Sequence, residues 1–279
     1  MSTPSTELGS SFDVSASRKR CVAYRMRIID SARMIPAVHI APAFSCLEIV
    51  DVAYHALVRR NPDGSADDTF ILSKGHGAMA QYVVLEDLGV LTSAELDAYC
   101  TPAGRLGGHP DLEVPGIEAS TGSLGHGLGI AVGMALADRI RGDDRVVYVV
   151  ISDGELQEGS VWESLLLAPS LRLSNLVVFV DLNDYQSLGK TSEILPNLYP
   201  VGDKLRAFGW EVAEADGHDQ ASLLEAAGSG TGEKPLVVVA HTVKGKGVSY
   251  MENVAIWHYR SPNDDEYRQA MEELEGQEP

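Results

Sequence analysis

Two polar residues, Asp153 and Asn183, sit thirty positions apart, and each follows a run of apolar, largely β-branched residues. The first run is RVVYVVI, residues 145–151, which continues into SDGELQEG. The second is LVVFVDL, residues 176–182, which continues into NDYQ. Continuous apolar runs of this kind suit strands buried on both faces of a parallel sheet. Such sheets bind ligands at the carboxyl ends of their strands. If the two strands are neighbours, the Asp153 carboxylate and the Asn183 side-chain oxygen face one crevice. That is a hard-oxygen set suited to Mg²⁺ or Ca²⁺, and Mg²⁺ commonly completes its shell with phosphate oxygens. Gly154 leaves the backbone open to a diphosphate. A helix starting near Glu158 would point its N-terminal dipole at the same place. Taken alone, Asp-Gly is a common turn-forming pair. The spacing to Asn183 is what shifts the balance toward a metal–diphosphate cradle.

The second group is histidine, of which there are eight. Imidazoles titrate in the range needed to shuttle protons at hydroxyl groups. His76 in ILSKGHGA and His109 in GGHP lie in glycine-flanked loops, which favours a site. His39 in PAVHIAPAF and His258 after Trp257 fit packing as well as function. His126 opens a helix in SLGHGLG and reads as a support for the preceding loop, and His241 ends a strand and reads as structural. Lys244 lies in VKGKG, just past an apolar strand, where a mobile site loop is expected.

The elements that must position these residues follow from periodicity. A helix runs from about residue 17 to 33, and a second over 45–59, with Ser45 as N-cap and Glu48 completing a capping box. NPDG, residues 61–64, is a turn. FILS starts a strand, and a helix follows to about residue 88. Thr92 and Glu95 begin another helix. A helix over roughly 158–167 joins the two apolar strands into a βαβ unit, and Pro169 should end or kink it. Strands at 210–216 and 235–243 flank a helix at 220–227. The expected fold class is therefore α/β, a single domain with an open, mostly parallel sheet and helices on both faces. The expected layout is a mobile N-terminus at 1–14, one domain over 15–262 and a mobile acidic tail at 263–279.

Composition narrows the function class. The chain has 279 residues, and 22 Lys+Arg against 40 Asp+Glu give a net charge of −18. Such a surface repels phosphate backbones, so no nucleic-acid partner is expected. No uninterrupted apolar run is long enough to span a bilayer. The start, MSTPSTELGSS, lacks the basic and apolar blocks of a signal peptide. Cys21, Cys46 and Cys100 are scattered, odd in number and without a CxxC pair. That suits a reducing, cytoplasmic location and no disulfide frame.

The segment SDGELQEGSVWESL…LVVFVDLNDYQ resembles the thiamine-diphosphate motif. More narrowly, it resembles transketolases whose N-terminal half is a separate subunit. ILSKGHGA (71–78), GRLGGHP (104–110), STGSLGHGLGIAVGMALA (120–137) and TVKGKGVSYMEN…WH (242–258) agree with that family in order. Together they span most of residues 17–262. The resemblance implies a thiamine-diphosphate-binding fold of the diphosphate (PP) type, with thiamine diphosphate and Mg²⁺ or Ca²⁺ as cofactors. It implies metal ligation by Asp153, Asn183 and the backbone carbonyl of Tyr185, with Gly154 beside the diphosphate. Gly122, Ser123 and Leu124 would run past the thiamine, and His76, Lys244 and His258 would lie near the diphosphate or thiazolium. His39, His109 and His258 would face a ketose, commonly a sugar phosphate. The implied reaction is transfer of a two-carbon ketol unit to an aldose-type acceptor.

Departures from the family pattern are Ser152 in place of glycine, Asp184 where Asn or Gly is common, and AVHIAPAF in place of a glycine-rich segment. The family also needs a glutamate from a pyrimidine domain, and too few residues follow VKGKG for such a domain. The expected partner is therefore a separate pyrimidine-domain (C-terminal transketolase) subunit. The chain should dimerise alone, form an α₂β₂ assembly with that partner, and leave 180–200 and 244–258 poorly ordered in isolation. The alternatives are a subunit of another thiamine-diphosphate enzyme (2-oxoacid dehydrogenase E1 α-like, or a specialised ketol or acyl transferase) and a non-catalytic cofactor-binding relic.

Overall fold

The computed structural model describes residues 12–277 other than 34, 36, 37 and 62. Most of the expected mobile N-terminus, residues 1–11, lies outside the described residues, as does Pro62 of the NPDG turn. Asp13 caps the first helix, its carboxylate accepting from the Ser15 and Ala16 amides. In chain order the helices are α1 (Val14–Ala32), α2 (Ile40–Val52), α3 (Ala78–Asp87), α4 (Ser93–Asp97), α5 (Gly127–Arg141), α6 (Gly159–Ser170), α7 (Thr191–Ile194), α8 (Val201–Ala207), α9 (Gln220–Ala227) and α10 (Asp264–Glu275). The strands are β1 (Thr69–Leu72), β2 (Val147–Ser152), β3 (Leu176–Leu182), a small hairpin of β4 (Tyr185–Gln186) and β5 (Gly189–Lys190), β6 (Glu211–Asp216) and β7 (Leu236–His241).

Five strands form one sheet in the order β1-β2-β3-β7-β6, and every pairing in it is parallel. Alternation along β2 explains its unbroken apolar run. Val147, Val149 and Ile151 pack with α5, α6 and α8, while Tyr148 and Val150 pack with α1, α2, α3 and α9. Both faces are covered, so polar side chains have no place until the strand ends. Cutting Phe179 of the central strand, which is fully buried, to alanine would cost about 3–5 kcal/mol. The register sets Ser152 beside Asp181 and Leu182 beside His241, so the carboxyl ends of β2, β3 and β7 lie side by side.

Three sequence expectations are corrected. The second helix starts at Ile40 rather than 45, and continues past Val52 as one wider turn, Ala53–Leu57. Pro42 lies in its first turn, where a missing N–H costs nothing. Ser45 and Glu48 are buried on long-range partners, not engaged in a capping box. The acidic tail is also ordered. Asn263 and Glu266 form a capping box for α10, and Ala270 and Leu274 bury themselves in the core. Charge hid an apolar stripe at helical spacing. Ile40–Leu57 is long enough and of high enough mean hydropathy to cross a bilayer, but Glu48 and Asp51 interrupt it and 89% of it is buried within the protein, as in a core helix.

Candidate functional site

Asp153 follows β2 directly, and its amide donates to the carbonyl of Asp181 on β3. The carboxylate is fully buried. It accepts from the Gly154 amide at 2.9 Å and from the Tyr199 hydroxyl at 3.3 Å. Among the described residues it forms no ion pair. Burial, and then the neighbouring charge of Asp181, push its carboxyl up to about 7. A charge held this way, at a strand end with a bare glycine after it, is what a divalent cation would satisfy.

Behind it lies a second buried carboxylate with a full set of partners. Asp181 pairs with Lys74, both side chains wholly buried. It also accepts from Ser45 Oγ at 2.6 Å, from Asn183 Nδ2 at 3.1 Å and from the Thr242 hydroxyl. Burial opposes ionisation of Asp181, but the Lys74 ammonium and these hydroxyls outweigh it and hold the carboxyl below its ordinary range. By taking the Asn183 NH₂ group, Asp181 fixes which way that amide faces. Asn183 Oδ1 accepts from the Tyr185 amide at 2.9 Å, folding the chain into the β4–β5 hairpin. Asp184 adopts a left-handed φ of 62°, a conformation open to Gly, Asn and Asp. Its carboxylate accepts from Ser192, and it shares with Asp153 the single proton of the Tyr199 hydroxyl, which lies 3.1 Å from Asp184 and 3.3 Å from Asp153.

The four expected histidines come together. His39, at the start of α2, lies 5.3 Å from His76, 6.1 Å from His109 and 5.1 Å from His258, measured between ring centres. His39 Nδ1 donates to the His258 carbonyl at 2.9 Å. His258 Nδ1 meets Lys244 Nζ at 2.5 Å, and the same ammonium lies 3.4 Å from the Tyr185 carbonyl. Burial lowers the His39 ring to about 4 and, with the Lys244 charge, the His258 ring to about 3. Burial and then Lys74 hold His76 well below its usual range. These three rings are neutral at pH 7. Burial and then the Lys74 charge bring Lys244 down to about 7.

The rings, Gly122, Leu124, Gly154 and Tyr185 line a cavity of about 240 Å³. Asp153, Asn183 and Lys244 are buried around it, whereas Ser123 is exposed. Gly122 has φ 134°, and a Cβ there would come within 2.7 Å of the His109 ring. Gly75 meets the same loop so closely that a Cβ would fall 2.6 Å from the Gly122 amide. A larger, open groove of about 790 Å³ by Pro169, Arg172, Phe208 and Lys234 contains none of these groups.

Sequence reasoning passed over several residues that build the site. Lys74 and Asp181 were visible only as charges set against apolar strands. Glu155, buried, accepts from Ser73 Oγ at 2.5 Å and the Gly125 amide at 2.8 Å, bracing the glycine loop on the β2 turn. His126 stands at the N-cap position of α5, and its Nδ1 reaches the Ser123 and Leu124 carbonyls, as a loop support should. His241 pairs with Glu214 at the surface. The 244–258 segment is packed rather than loose, with Val248, Met251 and Trp257 buried.

A parallel sheet with a buried, unpaired carboxylate at one strand end and neutral histidines above it defines a cofactor-binding α/β domain. Residues 17–279 match the family described as transketolase, thiamine diphosphate binding domain, and the chain belongs to that family. It is 38% identical to an apulose-4-phosphate transketolase subunit of Phocaeicola vulgatus, covering 90% of both chains. It is also 38% identical to the 6-deoxy-6-sulfo-D-fructose transketolase subunit SqwG of a Clostridium species, over 85% of this chain and 88% of that one. Human transketolase shares 34% identity over 91% of this chain but only 42% of its own length. Among solved structures, the Campylobacter jejuni transketolase superposes with a TM-score of 0.85 at 24% identity, and that from Leishmania mexicana with 0.79 at 25%. The chain spans 43% and 45% of those two proteins.

Proposed function

We propose that this chain is the diphosphate-binding subunit of a transketolase-type enzyme. It would transfer a two-carbon ketol unit from a ketose (phosphate) donor to an aldose-type acceptor, with the pyrimidine domain supplied by a separate chain. The observation that carries this reading is the buried, unpaired Asp153 carboxylate beneath a cavity walled by four histidines. The residues fit thiamine diphosphate with Mg²⁺ or Ca²⁺. Asp153 supplies charge, Asn183 Oδ1 and the Tyr185 carbonyl supply neutral oxygens, and Gly154 leaves the backbone open. Among the described residues no group of three or more His, Cys, Asp or Glu side chains is placed to hold a metal ion, so the candidate set is one carboxylate with neutral oxygens. An open set suits an ion that takes its remaining oxygens from a diphosphate.

When bound, the cofactor supplies carbanion chemistry that no side chain offers. The protein's own groups bind and orient. A diphosphate facing Lys244 would favour its charged form. Proton placement at the histidines follows from their hydrogen bonds. His39 commits its Nδ1 proton to a carbonyl, which leaves Nε2 as an acceptor. His258 Nδ1 receives a proton from Lys244, which leaves Nε2–H as a donor. One acceptor and one donor, on rings whose centres lie 5.1 Å apart, suit a sugar's hydroxyls, and neutral imidazoles can pass a proton either way.

The two apulose-4-phosphate transketolase relatives are each named as one subunit, and they match this chain over nearly their whole length. That supports a separate pyrimidine-domain partner. Packed helices α5 and α6 expose Ile130, Leu166 and Leu167. That apolar face suits a homodimer alone and an α₂β₂ assembly with the partner. The unpaired cysteines, two of them buried, suit the cytoplasm. The test is reconstitution with a pyrimidine-domain chain, offering xylulose 5-phosphate or a 2-oxoacid. Two-carbon transfer from the ketose phosphate is expected. Turnover of the 2-oxoacid alone, or no binding of thiamine diphosphate with any partner, would overturn the reading.

A further inference from the structure

Lys244 owes its place to a loop, and that loop is gripped from outside the cavity. The Val243 amide donates to His218 Nε2 at 2.8 Å, and the Lys246 carbonyl accepts from Arg25 Nε at 2.9 Å. The two holds meet at one buried carboxylate. Glu48 of α2 takes His218 Nδ1 at 2.9 Å on one oxygen and Arg25 at 2.7 Å on the other. His218 is itself fixed, its amide donating to Asp216 at 2.9 Å while the Gly217 amide donates to the His241 carbonyl at 2.8 Å. The loop has little slack, because Gly245 sits at φ 78° and a Cβ there would fall 2.5 Å from the Met251 carbonyl oxygen.

Hydrogen-bond roles settle the tautomer. A backbone N–H can only donate, so His218 Nε2 carries the lone pair and Nδ1 the proton. Glu48, bonded to a guanidinium, is an acceptor only. Arg25, Glu48 and His218 do not line the cavity.

We propose that His218, by accepting the Val243 amide on Nε2, is a positioning residue that sets Lys244 against Tyr185 and His258 for cofactor binding. This rests on reading Lys244 as a cofactor-facing group. Two conservative replacements separate positioning from mere packing. Asparagine places its NH₂ near His Nδ1, so His218→Asn can keep the Glu48 bond but falls short of Val243. Glutamine places an oxygen near Nε2, so His218→Gln can keep the Val243 bond. The readouts are amide hydrogen exchange over residues 243–253 in the full chain and calorimetric titration of thiamine diphosphate with Mg²⁺.

For His218→Asn, exchange over 243–253 should rise ~10-fold or more while β2 and β3 amides stay unchanged. Its cofactor Kd should rise by ~10-fold. His218→Gln should stay within about 3-fold of the natural chain on both readouts. The inference fails if the two variants behave alike, if His218→Gln is the looser of the two, or if the exchange rise spreads through the sheet. If the natural chain binds no thiamine diphosphate with or without a partner, the proposed function falls, while the exchange comparison still decides the grip on the loop.

Discussion

Asp153 and Asp181 lie on the carboxyl-terminal side of neighbouring strands, both buried, and they live in opposite circumstances. Asp181 has an ammonium, two hydroxyls and an amide to itself, and its carboxyl is held down. Asp153 has one backbone amide and a phenol shared with Asp184, and its carboxyl is pushed up. The same residue type, a few ångströms apart along one sheet edge, serves two ends. A buried carboxylate whose partners are complete belongs to the scaffold. One whose partners are missing belongs to a ligand. The difference teaches that burial alone does not mark a functional charge; the inventory of its partners does.

Mutation can break or sharpen this contrast. Asp181→Asn should be the most damaging change, because it strands the Lys74 ammonium in the core. Breaking one side of a buried pair costs about 3–5 kcal/mol, to be read from urea unfolding of the full chain. Asp153→Ala should do the reverse. Stability without cofactor should hold or rise, because a buried charge without a counter-ion is removed. Affinity for thiamine diphosphate in Mg²⁺ should fall by more than the ~10–100-fold that outer-shell changes cost. Calorimetric titration showing unchanged affinity would merge the two aspartates into one structural class.

The histidine wall gives the next effect. His76→Ala and His258→Ala, assayed with the partner chain, should lower turnover by roughly 10²–10⁴-fold, the usual range for a lost acid–base group. Variants that keep near-natural rates and only melt earlier would place those rings with Asp181 in the scaffold.

The smallest effect is on acid stability. His39 and His258 titrate lower in the folded chain, at about 4 and about 3. The unfolded chain therefore binds protons first as pH falls below about 6.5. Stability should drop as pH falls through that window and level off below the folded values. His39→Asn should flatten the slope by at most one proton's worth, about 1.36 kcal/mol per pH unit. Screening at its part-exposed ring makes the effect smaller still. Unfolding curves at several pH values between 7 and 4 would show whether the slope changes at all.

What could be read from sequence was local or periodic. The strands at 147–152 and 176–182 announce themselves because both faces are buried, and Asp153 and Asn183 stand where that pattern stops. The helix at 220–227 and the Thr92–Glu95 cap carry their signals within a few residues. The failures share one cause: a residue's partner was far away in sequence. Ser45 and Glu48 looked like a cap because the competing partners, Asp181 and Arg25, lie 136 and 23 positions off. Lys74 carries no local signal of its role, because its partner Asp181 lies 107 positions away. The grip of His218 on Val243 needs two loops brought together by β6 and β7. In the tail, charge count concealed the apolar spacing of Ala270 and Leu274.

The central proposal is that this chain binds the diphosphate and metal side of a shared site and that a separate pyrimidine-domain chain activates the cofactor. A steady-state assay of the chain alone, with saturating thiamine diphosphate, Mg²⁺ and a range of ketose phosphates, tests it most directly. The account predicts no turnover until a separate pyrimidine-domain chain is added, and activity in proportion to that chain until the two are matched. Robust two-carbon transfer by this polypeptide without a second one would contradict it.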